Sequence, residues 1–324
     1  MRRGGWAAAL AAISLTLPGC GRYTTFTLPQ LPGGNSDFSI TFEERPEPVL
    51  SRGQARDVLN PSVTGKWHVY YSAWDGATWR TRHAFTGDLR QWQDLGAVLS
   101  PDPRTWEGSY IAANGSALEF NGAVWYWYVA GPRETPRIGL AQDWRKLPEP
   151  VFEPGPYMSW DEEGVADPDV IRVGPYFYLY YLGQDRATRQ RIGMARSEDG
   201  VHWQKLISNP VLELGAPGAF DENGLGEPAV WQAHGFYWML YTGRGAGEIR
   251  RLGLAQSTDG VHWMKLPQVI SGASAWDAKV ICDPSVEPLD DSTVGVWFGG
   301  GDIPRPDENL DGQIGYGVLH ITAK

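Results

Sequence analysis

Asn60-Pro61-Ser62-Val63, Asn114-Gly115-Ser116-Ala117, Asp167-Pro168-Asp169-Val170, Glu227-Pro228-Ala229-Val230 and Asp283-Pro284-Ser285-Val286 are five copies of one four-residue pattern. Their first residues stand 54, 53, 60 and 56 positions apart. An aromatic-rich run that reads as a strand follows each copy, at 67–72, 124–130, 176–182, 236–242 and 294–298. A third element recurs behind it: Ile138-Gly139-Leu140-Ala141, Ile192-Gly193-Met194-Ala195, Leu252-Gly253-Leu254-Ala255 and Ile314-Gly315-Tyr316-Gly317. In two copies the chain runs on into Ser197-Glu198-Asp199-Gly200-Val201-His202-Trp203 and Ser257-Thr258-Asp259-Gly260-Val261-His262-Trp263, where Asp-Gly marks a tight turn between strands.

A period near 55 residues with about four strands per unit is the signature of a propeller. The expectation is an all-β, five-bladed β-propeller with four-stranded antiparallel blades over residues 38–324. The units fall near 57–100, 101–153, 154–213, 214–270 and 271–324. The fifth is short and lacks the Ser-x-Asp-Gly-x-x-Trp turn, whereas an orphan apolar stretch, 37–43, precedes unit one. That stretch is expected to be the N-terminal strand closing the last blade, which removes an exposed edge. Two sandwich domains would not explain a repeat carried through five units.

Composition agrees. Forty Gly, 24 Pro and 16 Trp in 324 residues oppose long helices and favour strands. A net charge of −10, with basic residues scattered among acids, opposes nucleic-acid binding. Of two cysteines, Cys282 reads as a buried core thiol. Cys20 ends Leu17-Pro18-Gly19-Cys20, after Arg2-Arg3 and an apolar run too short to span a bilayer. Residues 1–19 therefore read as a lipoprotein signal peptide and Cys20 as the lipidated residue. An ordinary signal peptide cut nearby is the alternative. The Gly/Pro/Thr-rich 20–37 is expected to be a flexible tether. The protein would be exported, anchored to a bacterial membrane by lipid only, and monomeric.

In a propeller the residues opening the innermost strands converge on the axis, here Asn60, Asn114, Asp167, Glu227 and Asp283. Three carboxyls round one cavity repel each other and lose water, so at least one should hold a raised pKa. A raised acid beside an ionised carboxylate is the requirement for glycosidic cleavage. Asp-Pro and Asn-Pro are also ordinary turn openers, but Glu227 is a weaker turn former and gives longer reach. Trp74, Trp79, Arg133, Glu134, Asp185, Arg186, Arg244, Asp302 and Arg305 fall in loops on the cavity face, with Trp106 and Tyr110 in the loop entering blade two. These are subsite candidates, since aromatic faces stack on sugars and Arg or Asp bonds hydroxyls. Trp160-Asp161, Phe220-Asp221 and Trp276-Asp277 recur before the axis position and read as packing between blades. No His/Cys cluster has zinc spacing and no Gly-rich phosphate loop is present. No cofactor is expected, and an axial calcium or sodium ion would leave no mark in the sequence.

These repeats resemble the five-bladed propeller glycoside hydrolases, the superfamily of the family 43 arabinanases and xylosidases and the family 32 and 68 fructan enzymes (levansucrase and invertase type). The resemblance covers nearly all of 38–324. Its most specific pieces are Ala166-Asp167-Pro168-Asp169-Val170, Gly226-Glu227-Pro228 and the two Ser-x-Asp-Gly-x-x-Trp turns. It implies a hydrolase acting on oligo- or polysaccharides, of pentose or furanose type, with Asp167 as the tuning Asp and Glu227 as the general acid. The family's blade-one base is an Asp before Pro, and this chain has Asn60 there. Asp57 is the nearest substitute base, Asp283 the second choice, and a propeller that has lost hydrolysis the third. A lipid-anchored, non-catalytic carbohydrate-binding propeller is therefore the rival reading. A phosphorylase of similar fold would need a basic phosphate pocket, and a sialidase six blades and an Arg cluster.

Overall fold

The computed structural model describes residues 22–35, 37–65, 68–89 and 92–324. Residues 1–19, read as a signal peptide, and Cys20 lie outside the described residues. Two strands, β1 (Tyr23–Thr24) and β2 (Phe38–Glu44), precede the first repeat. Blade one is β3 (Asp57–Thr64), β4 (His68–Trp74), β5 (Trp79–Thr86) and β6 (Trp92–Leu99). Blade two is β7 (Ile111–Phe120), β8 (Ala123–Ala130), β9 (Arg137–Gln142) and the short β10 (Arg145–Lys146). Blade three is β11 (Gly164–Val173), β12 (Tyr176–Gln184), β13 (Gln190–Ser197) and β14 (Trp203–Leu206). Blade four is β15 (Gly224–Ala233), β16 (Phe236–Arg244), β17 (Arg250–Ser257) and β18 (Met264–Ile270). Blade five has three strands in sequence, β19 (Val280–Pro288), β20 (Thr293–Gly301) and β21 (Gln313–Ala323). Its fourth is β2, antiparallel to β21 from Phe38↔Ala323 to Glu44↔Gly317. The ring closes with both ends of the chain in one blade, as the orphan stretch predicts.

The four-residue repeat is a recurrent β-bulge. In each innermost strand the ladder skips two residues, between Leu59 and Ser62, Ala113 and Ser116, Ala166 and Asp169, Gly226 and Ala229, and Cys282 and Ser285. The third residue of the repeat then reaches the next blade. Ser62 Oγ accepts Ala117 N–H (2.8 Å), Ser116 Oγ accepts Val170 N–H (3.0 Å), Asp169 Oδ2 accepts Val230 N–H (2.9 Å), and Ser285 Oγ accepts Val63 N–H (3.0 Å). Blade four offers Ala229 at this place and makes no such bond. The repeat is thus a fastener between blades as well as the opening of an inner strand.

The glycine of the Ile-Gly-Leu-Ala repeat has a packing cause. A Cβ on Gly193 would stand 2.3 Å from Trp160, on Gly253 2.6 Å from Phe220, and on Gly315 2.9 Å from Trp276. The recurrent aromatic-acid dipeptides are therefore packing devices, as read from their repetition. Gly139 meets Trp106 in the same way, at 3.0 Å, so Trp106 belongs to this set with Glu107 as its acid.

The segment read as a tether does not hang free. Tyr23 and Thr24 pair in parallel with Lys205 and Leu206 of β14. Leu28 N–H donates to Asp259 O (2.8 Å), Leu31 N–H to Thr258 O (2.8 Å) and Gly33 N–H to Gly235 O (3.0 Å). Phe26 and Leu28 are buried in the cluster of Tyr178, Tyr180 and Val261. Two such side chains are worth about 1.5–3 kcal/mol each when buried, enough to hold residues 22–34 along blades three and four. Polar composition hid the two buried apolar residues that do this.

Candidate active site

The bulge that skips the ladder also turns its first residue inward. Asn60, Asn114, Asp167, Glu227 and Asp283 share one left-handed conformation, with φ of 49, 49, 49, 55 and 51°. Asn and Asp tolerate this region because their short polar side chains bond locally. Glu does not share that advantage, so Glu227 carries the largest strain of the five, as functional sites often do. All five line a single cavity of about 330 Å³ at the head of the propeller, at the small end of the roughly 300–1,000 Å³ range of ligand sites. A second chamber of about 200 Å³ lies behind them, lined by the rest of the repeats. The five residues form the partition of the axial tunnel.

Within the ring the carboxyls of blades three, four and five engage the next blade's backbone. Glu227 N–H bonds the Asp167 carboxylate, Asp283 N–H bonds Glu227 Oε2 (3.0 Å), and Asn60 N–H bonds Asp283 Oδ2 (3.2 Å). Asn114 Nδ2 donates to Asp167 Oδ1 at 2.6 Å, while its own N–H goes to Ser72 Oγ (2.8 Å). Space is tight: a Cβ on Gly226 would stand 2.8 Å from Asp167 Oδ2, and one on Gly299 2.7 Å from Asp283 Oδ2.

Loss of water, then the charge of Glu227, pushes Asp167 up to about 7, against the Asn114 amide and Arg244. Asp283 is held well above the usual carboxylate range by loss of water, the charge of Glu227 and a hydrogen bond to that carboxyl, with Arg250 opposing. Asp167 and Asp283 are thus both pushed toward the protonated form while packed against the same neighbour, Glu227. The Cys282 thiol, buried and donating to Asp283 Oδ2 (3.2 Å), is likewise pushed well up by burial and by Asp283 and Glu227.

The ligand atoms of Glu227, Cys282 and Asp283 lie within 4.8 Å of one another. They do not suit an axial calcium or sodium ion. A thiol is a poor ligand for hard cations, Asp283 Oδ2 already accepts two hydrogen bonds, and the Arg250 guanidinium faces the same three groups.

The sequence-predicted residues divide. Asn60, Asn114, Asp167, Glu227, Asp283, Tyr110 and Arg244 line the cavity, with Trp79 and Arg133 from the wider loop set. Asp57 does not. Its carboxylate is fully buried and accepts the N–H groups of Asn309 (2.5 Å), Leu310 (2.9 Å) and Gly312 (2.8 Å). Three backbone donors occupy the oxygens a base would need, so Asp57 fastens the loop between β20 and β21 instead. Trp74 is buried behind Trp79, ring centroids 5.4 Å apart, and supports it rather than facing a ligand. Trp106 is the packing aromatic described above, outside the lining. The loop that Asp57 fastens crosses the cavity mouth. Arg133 ion-pairs with Asp307 (2.5 Å) and Glu308 (3.1 Å), Tyr110 Oη donates to Glu308 (3.2 Å), and Arg244 donates to Pro306 O (3.3 Å). Sequence reasoning missed Arg250, which lines the cavity and donates to the carbonyls of Arg305 (2.8 Å) and Pro306. The 60-residue offset held the signal: Gln184 and Gln190 of blade three answer to Arg244 and Arg250 of blade four, paired across equivalent ladders.

The family model described as Glycosyl hydrolases family 32 N-terminal domain matches residues 61–292. Among curated proteins, the uncharacterized protein Rv1502 of Mycobacterium tuberculosis (strain ATCC 25618 / H37Rv) is 34% identical over 160 residues, 46% of this chain and 52% of that protein. The chain thus spans about half the length of the curated relatives it matches first. A 1,2-beta-oligomannan phosphorylase of Thermoanaerobacter sp. (strain X514) is 28% identical over 116 residues, 32% of this chain and 38% of that enzyme. Among solved structures, a glycosyl hydrolase from Bacteroides ovatus superposes with a TM-score of 0.67 at 16% identity, covering 86% of this chain and 93% of that one. A thermostable family-43 glycoside hydrolase gives 0.62 at 15% identity, covering 82% and 94%. At these identities the likeness to solved structures is one of fold.

Proposed function

The chain belongs to the family of the glycosyl hydrolases family 32 N-terminal domain, and from that premise we propose that it hydrolyses glycosidic bonds of furanose-type glycans at the axial ring. The single observation that carries the reading is the gathering of Asp167, Glu227 and Asp283 in one cavity of about 330 Å³, where burial and the neighbouring Glu227 push Asp167 and Asp283 toward their protonated forms. Groups of opposite protonation in one site are the requirement for paired acid and base catalysis. Glu227, hydrogen-bonded to the Asp283 carboxyl that can hand it a proton, protonates the leaving glycosidic oxygen. Asp167, ionised above about 7, takes a proton from the water whose oxygen bonds to the anomeric carbon. This replaces Asp57 by Asp167 as base, because the carboxylate of Asp57 is closed off. Trp79 and Tyr110 supply faces for the sugar, and Arg244 a donor to its hydroxyls.

Glu227→Gln is the test. Turnover of unactivated glycosides should fall by about 10²–10⁴-fold, the range of general acid catalysis, with aryl glycosides bearing acidic leaving groups hit far less and sugar binding retained. Equal loss on both substrates would remove Glu227 from the acid role. Binding without turnover on any glycan would favour the carbohydrate-binding module.

A second reading has an observation of its own. Inorganic phosphate is already a nucleophile and needs no base, so a ring with Asn60 in blade one and Arg133, Arg244 and Arg250 at the cavity wall also suits phosphorolysis. In that case phosphate oxygen bonds to the anomeric carbon, the leaving oxygen takes the Glu227 proton, and a sugar 1-phosphate is released. Release of sugar 1-phosphate only when phosphate is added, measured on furanosides and on β-1,2-mannosides, separates the two. Export and lipid anchoring at Cys20 belong to the same proposal. Among the described residues no helix is long and apolar enough to cross a membrane. Loss of detergent-phase partitioning in Cys20→Ala, and its presence in the parent, would support the anchor.

A further inference from the structure

Four loops entering blades two to five carry an aromatic-acid pair: Trp106-Glu107, Trp160-Asp161, Phe220-Asp221 and Trp276-Asp277. In three of them the acid meets a tyrosine hydroxyl and a lysine ammonium. Glu107 takes Tyr128 Oη (2.6 Å) and Lys146 Nζ (2.5 Å). Asp161 takes Tyr181 Oη (3.0 Å) and Lys205 Nζ (2.5 Å), and Asp221 takes Tyr241 Oη (3.1 Å) and Lys265 Nζ (2.5 Å). The donors hold fixed register. Each tyrosine pairs with the glycine of the Ile-Gly-Leu-Ala repeat, and each lysine pairs with its last residue, at Ala141, Ala195 and Ala255.

Blade five breaks this rule at both places. Opposite Gly315 stands Phe298, which has no hydroxyl. Opposite Gly317, in the lysine's register, stands Glu44 of the closing strand β2. Asp277 has therefore lost both donors and faces a second carboxylate. It is fully buried, and among the described residues no N–H donates to its Oδ2 or to the buried Glu44 Oε1; the two carboxyls meet each other instead, and loss of water and the charge of Glu44 push Asp277 up to about 7. The other oxygen of each is taken by backbone: Asp277 Oδ1 accepts Ser274 N–H (2.9 Å) and Glu44 Oε2 accepts Ala273 N–H (3.0 Å). Arg251 approaches Asp277 electrostatically but spends its guanidinium on the carbonyls of Arg250 (2.7 Å), Lys279 (3.2 Å) and Ala278 (3.4 Å).

We propose that the closing blade binds a hard divalent cation between Glu44 and Asp277, in the place that a lysine ammonium fills in three other blades. Two carboxyls with one oxygen each pinned by backbone N–H and one each facing the other form an all-oxygen donor pair; the cation would take the place of the proton between them, with waters completing the set that calcium or magnesium takes. The charge balances as it does elsewhere, since one ammonium answers one acid and a dication answers two. The site ties the loop before β19 to β2, the strand on which ring closure depends, so the cation stabilises the closed propeller.

The test uses the full chain, stripped of metal with a chelator. Calcium chloride at about a hundred times its dissociation constant should raise Tm by roughly 5 °C. Terbium should luminesce on indole excitation, with Trp276 adjacent, and calcium should displace it. Glu44→Lys restores the lysine pattern, so this variant should melt no lower than the metal-loaded parent without any metal, and neither calcium nor terbium should act on it. Glu44→Gln, nearly isosteric, should fold and lose both responses. A parent that shows no calcium or magnesium shift and no terbium emission overturns the proposal. So does a Glu44→Gln variant that keeps them, because the cation would then sit elsewhere.

Discussion

Asn114→Gly tests whether Asp167 is the base and whether Asn114 sets its titration. Glycine keeps the left-handed backbone that position 114 adopts (φ 49°) and removes only the amide, whose Nδ2 donates to Asp167 Oδ1 at 2.6 Å. A hydrogen bond to a charged acceptor is worth about 1.5–3 kcal/mol, and about 1.4 kcal/mol corresponds to a tenfold change in proton affinity. Losing it favours the protonated acid and carries Asp167 from about 7 to roughly 8 or 9. A base must be ionised, so kcat/KM rises with pH through this value. The acidic limb in the parent should therefore lie near 7 and move up in the variant. At pH 7 the variant should lose about 5- to 50-fold, and the alkaline plateau should stay within a few-fold of the parent. The assay is kcat/KM against pH on an aryl glycoside. An unmoved limb would remove Asp167 from the base role, and an equal loss at every pH would mean that Asn114 acts on substrate binding instead.

Asp169, in the second chamber, is pushed up to about 7 chiefly by loss of water, with only Val230 N–H opposing. The folded chain therefore binds a proton there that the unfolded chain releases near its ordinary value of 3.8. Stability from this group is present below 3.8 and is lost as pH rises to about 7. Asp169→Asn keeps an acceptor for Val230 and cannot ionise, so its free energy of unfolding, from chemical denaturation, should exceed the parent's at pH 8 by on the order of a few kcal/mol, and match it near pH 4. For Asp57→Ala, three backbone donors lose a buried carboxylate. Chemical denaturation should show a loss of at least about 3 kcal/mol, while kcat per folded molecule stays within about tenfold; loss of turnover at unchanged stability would return Asp57 to the chemistry.

The fold was legible because each of its periodic signals has a separate physical cause. Prolines and glycines mark the skipped ladder positions, glycines mark where Trp160, Phe220 and Trp276 seat, and Ser197 and Ser257 Oγ each accept the turn glycine's N–H at 2.9 Å. The axial set was legible for the same reason, since equivalent strand openings converge by symmetry. What sequence could not supply was the content of the loops. Asp57 lies three residues from Asn60, but β3 carries it to a buried end where the far loop's backbone claims it. Trp106 looked like a sugar platform because its acid is Glu107 rather than Asp and stands one residue further from the axis position than in the other copies. Residues 22–34 looked like a spacer because composition averages away Phe26, Leu28 and Leu31, whose burial depends on a surface made by blades three and four.

Asn60 gains meaning from Asp283 beside it. The two are joined by the Asn60 N–H bond to Asp283 Oδ2 (3.2 Å), and Asp283 already answers to Glu227 and Arg250. A carboxylate at position 60 would place a fourth acid on a ring whose facing cations are Arg244 and Arg250, and like charges at this distance cannot all ionise. The amide therefore keeps the number of acids at three, with the blade-five carboxyl standing in for one at blade one. Asn60→Asp should bind an additional proton, move the acidic limb of kcat/KM upward and lower activity at pH 7 about tenfold, the effect of one lost decade in ionisation. Asp283→Asn in the same chain restores three carboxyls and should bring the limb back toward the parent's. An Asn60→Asp variant with the limb in place and turnover raised would show that blade one had lost a base and that Asp283 compensates for nothing.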